Sequence, residues 1–233
     1  MIGRSSAAVD PGATLGRMRR RVTLTFDNGP TRVTAQVLDL LAQRGLLATF
    51  FLVGERLRRP GARELAERAL REGHHIGNHS LTHATPLGVN DDPAEAEREI
   101  DGMQALLGDL VPGERFFRPF GGGGHIDRNL LGRHAVDHLM RGRYTCVLWS
   151  SVPRDWENPE GWPDVCLADL DARPWSVVVL HDLPTGAMAR LPAFLDALDA
   201  RGIEVVHEFP EDCVPIRFGR PTPSFGAIPL SEQ

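Results

Sequence analysis

Several features are scarce in this sequence, and each shortage removes a class of protein. No apolar run approaches the ~18 residues needed to span a bilayer, so no membrane-spanning helix is expected. The first twenty residues, MIGRSSAAVDPGATLGRMRR, hold no apolar core of a secretory signal, and the expectation is a cytoplasmic protein. Positive charge is not concentrated. The net charge is −5, and the single basic run, Arg17 to Arg21, is short and reads as a solvated tail. Nucleic acid is therefore excluded as a partner, because phosphate binding needs a dense basic surface. The three cysteines, Cys146, Cys166 and Cys213, are too far apart for a CxxC pair and too few for a disulfide framework. They are expected to be small buried apolar residues. No internal repeat and no dinucleotide-binding fingerprint occurs.

What remains is an ordinary globular composition, 42% hydrophobic and 24% charged over 233 residues, which fits one domain. Short apolar runs at 22–26, 48–53, 116–117, 144–149, 177–180 and 203–206 predict strands. Helical spacing predicts helices at 34–43, 63–71, 93–107, 127–140 and 188–200. Strand and helix alternate, which implies a parallel sheet with helical crossovers. The expected fold is α/β, an irregular (β/α) barrel of about seven strands. Residues 1–18 and 209–233, without periodicity, read as a flexible N-terminal segment and a C-terminal tail around a domain at 19–208.

In parallel barrels, catalytic groups gather at the C-terminal ends of strands. Here Asp27 and Asn28 follow the first strand, Arg118 follows 116–117, Asp155 and Trp156 lie beyond 144–149, and His181 caps 177–180. Packing alone gives no reason to put polar groups at every one of these ends. His79 and His83 form His-x-x-x-His, a spacing that on a helical turn lets two imidazoles reach one ion. His134 and His138 share that spacing but fall within an expected helix away from any strand end, so a structural role is assigned to them. His74 and His75 are also read as structural or surface residues. Gly121 to Gly124 lacks the lysine of a phosphate loop and is read as a turn, or as a close approach of backbone to ligand.

Together these residues resemble the polysaccharide deacetylase family, also called the NodB homology domain or carbohydrate esterase family 4, over about residues 19–208. Thr25-Phe-Asp-Asn-Gly-Pro30 resembles its TFDDGP motif and His79-Ser-Leu-Thr-His83 its H[ST]xxH motif. Arg118-Pro-Phe-Gly121, Asp155-Trp156 and Leu180-His181 are similar to the three that follow, in the same order. The resemblance implies a NodB-like barrel that removes N-acetyl groups from an amino-sugar oligo- or polysaccharide, with a divalent metal, usually zinc. It makes His79 and His83 metal ligands, Asp27 the general base and His181 the general acid. Arg118 would pair with a carboxylate, Asp27 first, and Asp155 would orient either Arg118 or His181. Trp156 and Leu180 would wall the pocket for the acetyl methyl, and Phe120 and Gly121 would contact substrate.

Two positions depart from the family pattern. Asn28 stands where the family usually has a second Asp, the third metal ligand. An amide keeps a carbonyl oxygen donor but loses the charge, so weaker but real metal binding through Asn28, His79 and His83 is expected. The motif at Arg118 also lacks the usual second Pro and Tyr. Two other functions stay open: a metal-free sugar-binding protein, and a hydrolase of a small cyclic or linear amide. One Tyr and four Trp offer few stacking surfaces for a long glycan, which points to a short substrate. The oligomeric state is not legible in the sequence.

Overall fold

The computed structural model describes residues 19–230. The N-terminal segment 1–18 and the last three residues lie outside the described residues. Seven parallel strands form the frame. β1 (Arg21–Asp27) leads into α1 (Arg32–Arg44), and β2 (Thr49–Leu52) into α2 (Gly54–Leu57) and α3 (Ala62–Arg71). β3 (His75–Asn78) is followed by α4 (Pro93–Leu107), and β4 (Phe116–Phe117) by α5 (Arg133–Arg141). β5 (Thr145–Cys146), α6 (Trp162–Asp171), β6 (Trp175–His181), α7 (Leu191–Ala200) and β7 (Glu204–Val206) complete the set. The sheet runs β6-β1-β2-β3-β4-β5, with β7 on the first half of β1. Beyond β5, Ser151 bridges Val178 of β6, which closes the curled sheet into an irregular barrel. No helix among the described residues is long and apolar enough to cross a membrane.

The pleat sorts the side chains. Val22, Leu24 and Phe26 of β1, with Val178 and Leu180 of β6, pack outward against α1, α6 and α7. Phe51, Phe117, Cys146, Val177 and Val179 fill the barrel interior. Because strand side chains alternate, Thr23, Thr25 and Asp27 then face inward with the second group. All three are buried. Local signals place the helices. Thr31 caps α1 in a reciprocal box with Thr34, and Gly45 ends it at φ 62°, a conformation glycine adopts without a Cβ penalty.

Four expectations need correction. The predicted helix at 127–140 starts only at Arg133, because Asp127 turns back to accept from the Asn129 N–H and holds a local turn. Regular pairing in the predicted strand 144–149 is confined to Thr145–Cys146. α6 is not evident in the sequence, since Trp162, Val165, Cys166, Leu167 and Leu170 make no clean stripe. Residues 209–230 are not a tail. β8 (Ile216–Arg217) pairs antiparallel with β5, and β9 (Arg220–Pro221) pairs with β8. Phe209, Cys213, Val214 and Ile216 bury themselves in the barrel core. Aperiodic segments can still plug a barrel end, and period alone does not reveal this.

Candidate active site

Asp27, the last residue of β1, pairs in register with His181, the last residue of β6. Both face a cavity of about 310 Å³ that also reaches Asn28, His79, His83 and Trp156. Thus the strand ends do converge. Phe120 and Gly121 join the same wall.

Arg118 is fully buried inside the barrel. Its guanidinium donates to Asp27 Oδ1 at 3.0 Å, to Thr25 Oγ1, and to the carbonyls of Val147 and Leu148. It also lies over the Phe51 ring, 4.1 Å from the centroid. A buried cation needs this full set of acceptors, and the set fixes the Asp27 carboxylate at one end of the cavity. Asp155 accepts twice from His181 on the neighbouring strand, from Nδ1 at 2.8 Å and from the backbone N–H at 3.0 Å. Of the two roles open to Asp155, the geometry gives it the second: it holds His181. Burial pulls the His181 pKa down, but the hydrogen bond and charge of Asp155, aided by Asp27 and Asp182, outweigh it, and the net shift is upward. Trp156 meets the His181 ring edge-on at 4.8 Å.

His79 and His83 do not lie on a helical turn. The chain from 79 to 83 is an irregular loop, with Ser80 and His83 at φ 68° and 56°. Side chains hold it in place of a helix ladder: Asn78 accepts from the Ser80 N–H, Ser80 Oγ from the His83 N–H, and the buried Glu99 carboxylate from Thr82. The two rings end 4.9 Å apart. His79 Nδ1 donates to the Arg118 carbonyl at 2.8 Å, which fixes the tautomer and leaves Nε2 as a bare lone pair facing the cavity, 3.6 Å from Asp27 Oδ2. Burial lowers the pKa of both histidines to about 3, so both are neutral near pH 7. Phe120 stacks on His83 at 3.8 Å.

Asn28 completes this corner. It sits at φ 71°, a region Asn tolerates better than most residues, and its Oδ1 is buried without a hydrogen-bond partner among the described residues. An unpaired buried carbonyl costs ~1–3 kcal/mol unless something satisfies it. Beside two neutral imidazoles, the donor set suits a divalent cation of intermediate hardness, and the residues fit such an ion.

One site residue is misplaced by the sequence reading. Leu180 does not wall the cavity: the pleat turns it outward into the helix-facing core, and Val179 and Leu183 line the cavity instead. Gly121 has a steric reason for its identity, since an added Cβ would lie 2.1 Å from the His125 carbonyl oxygen. Glu99 was not singled out from the sequence, and Asn78 and Asp182 were given no role there. The available signal for Glu99 was an acid on the buried face of α4 between Ala96 and Met103. His134 and His138 stay outside the cavity and pair with Asp91 and Asp101 at 3.2 and 2.9 Å, on the more open side of α5 rather than the buried face of Ala135, Val136 and Leu139.

Comparison with known proteins bears on the family and the fold. A family model described as polysaccharide deacetylase matches residues 16–138. A peptidoglycan-N-acetylglucosamine deacetylase of Bacillus cereus is 35% identical over 164 residues, covering 69% of this chain and 72% of that protein. A chitooligosaccharide deacetylase of Rhizobium leguminosarum bv. trifolii is 31% identical over 205 residues, 80% of this chain and 89% of the relative. Among solved structures, a family 4 acetyl xylan esterase from Clostridium thermocellum, in complex with a cobalt ion, superposes with a TM-score of 0.64 at 27% identity, covering 80% of this chain and 87% of that one. With its barrel, its motifs and these likenesses on record, the chain belongs to the polysaccharide deacetylase family.

Proposed function

We propose that this protein removes the acetyl group from an N-acetylated sugar unit of an oligo- or polysaccharide, with a divalent cation, zinc first, held by Asn28, His79 and His83. The observation that carries this reading is the pairing of Asp27 with His181 across one cavity, each held by its own buried partner. An amide is a poor electrophile and its nitrogen a poor leaving group, so hydrolysis needs a base for the water and an acid for the nitrogen. When bound, a divalent ion would polarise the carbonyl and acidify water.

The rest is the work of side chains. Asp27, kept in place by Arg118, takes a proton from the attacking water as its oxygen bonds to the carbonyl carbon. His181, whose proton affinity Asp155 raises, gives a proton to the nitrogen as the C–N bond breaks, releasing acetate and the free amine. Phe120, Trp149 and Trp156 offer apolar walls to the sugar face and the methyl group. In an acetate-release assay on N-acetylglucosamine oligomers, Asp27→Asn and His181→Ala should each lower kcat by about 10²–10⁴, the usual worth of a general base or acid. Full activity in either variant would remove that residue from the scheme.

A second reading, a metal-free sugar-binding protein, has one observation in its favour. Among the described residues no three His, Cys, Asp or Glu side chains converge as ligands, because position 28 is an amide. The buried carboxylate–arginine and histidine–carboxylate pairs speak against it, since binding alone needs neither.

A further inference from the structure

Beside the catalytic cavity lies a larger open depression of about 810 Å³. Arg32, Arg56 and Arg59 line it, together with Pro30, Gly61 and Leu183. Leu183 is shared with the catalytic cavity. A smaller recess joins the two from the other side, walled by Asn28 and His83 and again by Arg56 and Arg59. The depression therefore begins where the acetamide-binding corner ends.

Its charge is only partly offset, by the buried Asp182 near Arg56. Nineteen ion pairs occur among the described residues, and none involves Arg32, Arg56 or Arg59. Arg56 is half-buried, and its nearest charged neighbours are a second cation, Arg59, and the buried Asp182. Glu55 also reaches the small recess, but no ion pair joins it to either arginine among the described residues. Two helix starts add to the field. α1 has no acidic residue in its first turn, and α3, capped by Gly61 without a side-chain bond, carries one, Glu64. The chain contains no lysine, so these cations are all forked guanidinium groups, suited to two-point contact with carboxylate or phosphate. Holding two like charges side by side at the rim of a cavity has a cost that surface solubility does not require.

We propose that this arginine-lined depression is a substrate subsite for an oxyanion, a carboxylate or a phosphate, carried by the unit adjoining the acetylated sugar. The inference rests on the deacetylase reading only for the identity of the neighbouring group; anion binding itself is independent of it. It makes the preferred substrate an acidic glycan rather than a neutral one.

The test compares three ligands of equal length: a neutral N-acetylglucosamine trimer, a trimer with a carboxylate on the adjoining unit, and a trimer with a phosphate monoester there. Binding is measured by calorimetry at low and high salt, and acetate release is measured separately. At least one acidic trimer should bind about tenfold or more tighter than the neutral one, and the advantage should shrink at high salt. Arg56→Gln with Arg59→Gln should abolish that advantage, whereas Arg56→Lys with Arg59→Lys should keep part of it. A carboxylate-only or phosphate-only preference identifies the source of the anion and supports the subsite. Equal binding of all three trimers, or an advantage that survives the double Gln substitution in a folded variant, would overturn the subsite, and acetate release from the neutral trimer would leave the deacetylase reading standing. Arginine-dependent binding without acetate release from any trimer would do the reverse.

Discussion

Replacing Asp155 by Asn isolates the contribution of one buried charge to the acid end of the site. The carboxylate is fully buried, and it accepts from His181 Nδ1 at 2.8 Å and from the His181 N–H at 3.0 Å. Asn retains the size and one acceptor, so the backbone contact survives, but the charge-assisted bond to the imidazolium is lost. Such bonds are worth ~1.5–3 kcal/mol. At 1.36 kcal/mol per pH unit this corresponds to about one to two units of proton affinity. The sign follows from the causes. Burial alone lowers the His181 pKa, and Asp155 is the largest influence raising it, so the variant loses its proton at lower pH. A general acid works only while protonated; activity falls as pH rises through its pKa. The alkaline limb of the kcat/KM profile for acetate release should therefore move toward acid by about one to two units in Asp155→Asn. At pH values above the wild-type limb the variant should be slower by about 10–100-fold. A uniform loss of rate across the whole pH range, with the limb unmoved, would refute His181 as the acid and leave Asp155 a purely structural residue.

Other expectations follow from the same geometry. Arg118→Met removes the cation from a buried pair and strands Asp27, which should cost ~3–5 kcal/mol in denaturant unfolding; a change below about 1 kcal/mol would mean that water already reaches the pair. His74 is buried, accepts from the Ala48 N–H at 3.1 Å, and has its pKa lowered by burial from 6.5 to about 4. The unfolded chain binds the extra proton between those values, so stability should fall as pH drops from 6.5 toward 4. His74→Gln should flatten part of that slope by an amount on the order of 2 kcal/mol. Asp182 has the opposite sign: burial raises its pKa from 3.8 to about 6, so its contribution to stability is lost as pH rises through 6. Asp182→Asn should gain on the wild type between pH 4 and 8, and equal stability differences at both ends would contradict the assignment.

The barrel and most of the site were legible in the sequence because two independent periodicities agreed there. Apolar runs marked β1, β2 and β6, and in β1 and β6 the residue directly after the run was polar, Asp27 and His181. The misreadings have physical sources. His79 and His83 have helical spacing, but Asn78, Ser80 and Glu99 supply side-chain hydrogen bonds that hold an irregular loop, and no periodicity encodes such partners. Leu180 was assigned through the family resemblance, by the motif Leu180-His181, yet alternation along a strand sends neighbours to opposite faces. The role of Asp155 could not be chosen from sequence because Arg118 and His181 are both within the same barrel mouth, and only coordinates separate them. The segment 209–230 has no period of its own, since it is shaped by the end of the barrel that it covers.

The central claim is that Asn28, His79 and His83 hold a divalent ion that the deacetylation requires. Its most direct test is acetate release from an N-acetylglucosamine tetramer, measured with metal content before chelation, after chelation and after zinc is restored, in wild type and in Asn28→Asp. Near one equivalent of metal is expected, with activity that disappears with the metal and returns with it, and tighter retention in Asn28→Asp, where the ligand gains a charge. Metal-free wild type that stays inactive on zinc addition, with both metal and activity appearing only in Asn28→Asp, would contradict it and make the native protein a sugar binder.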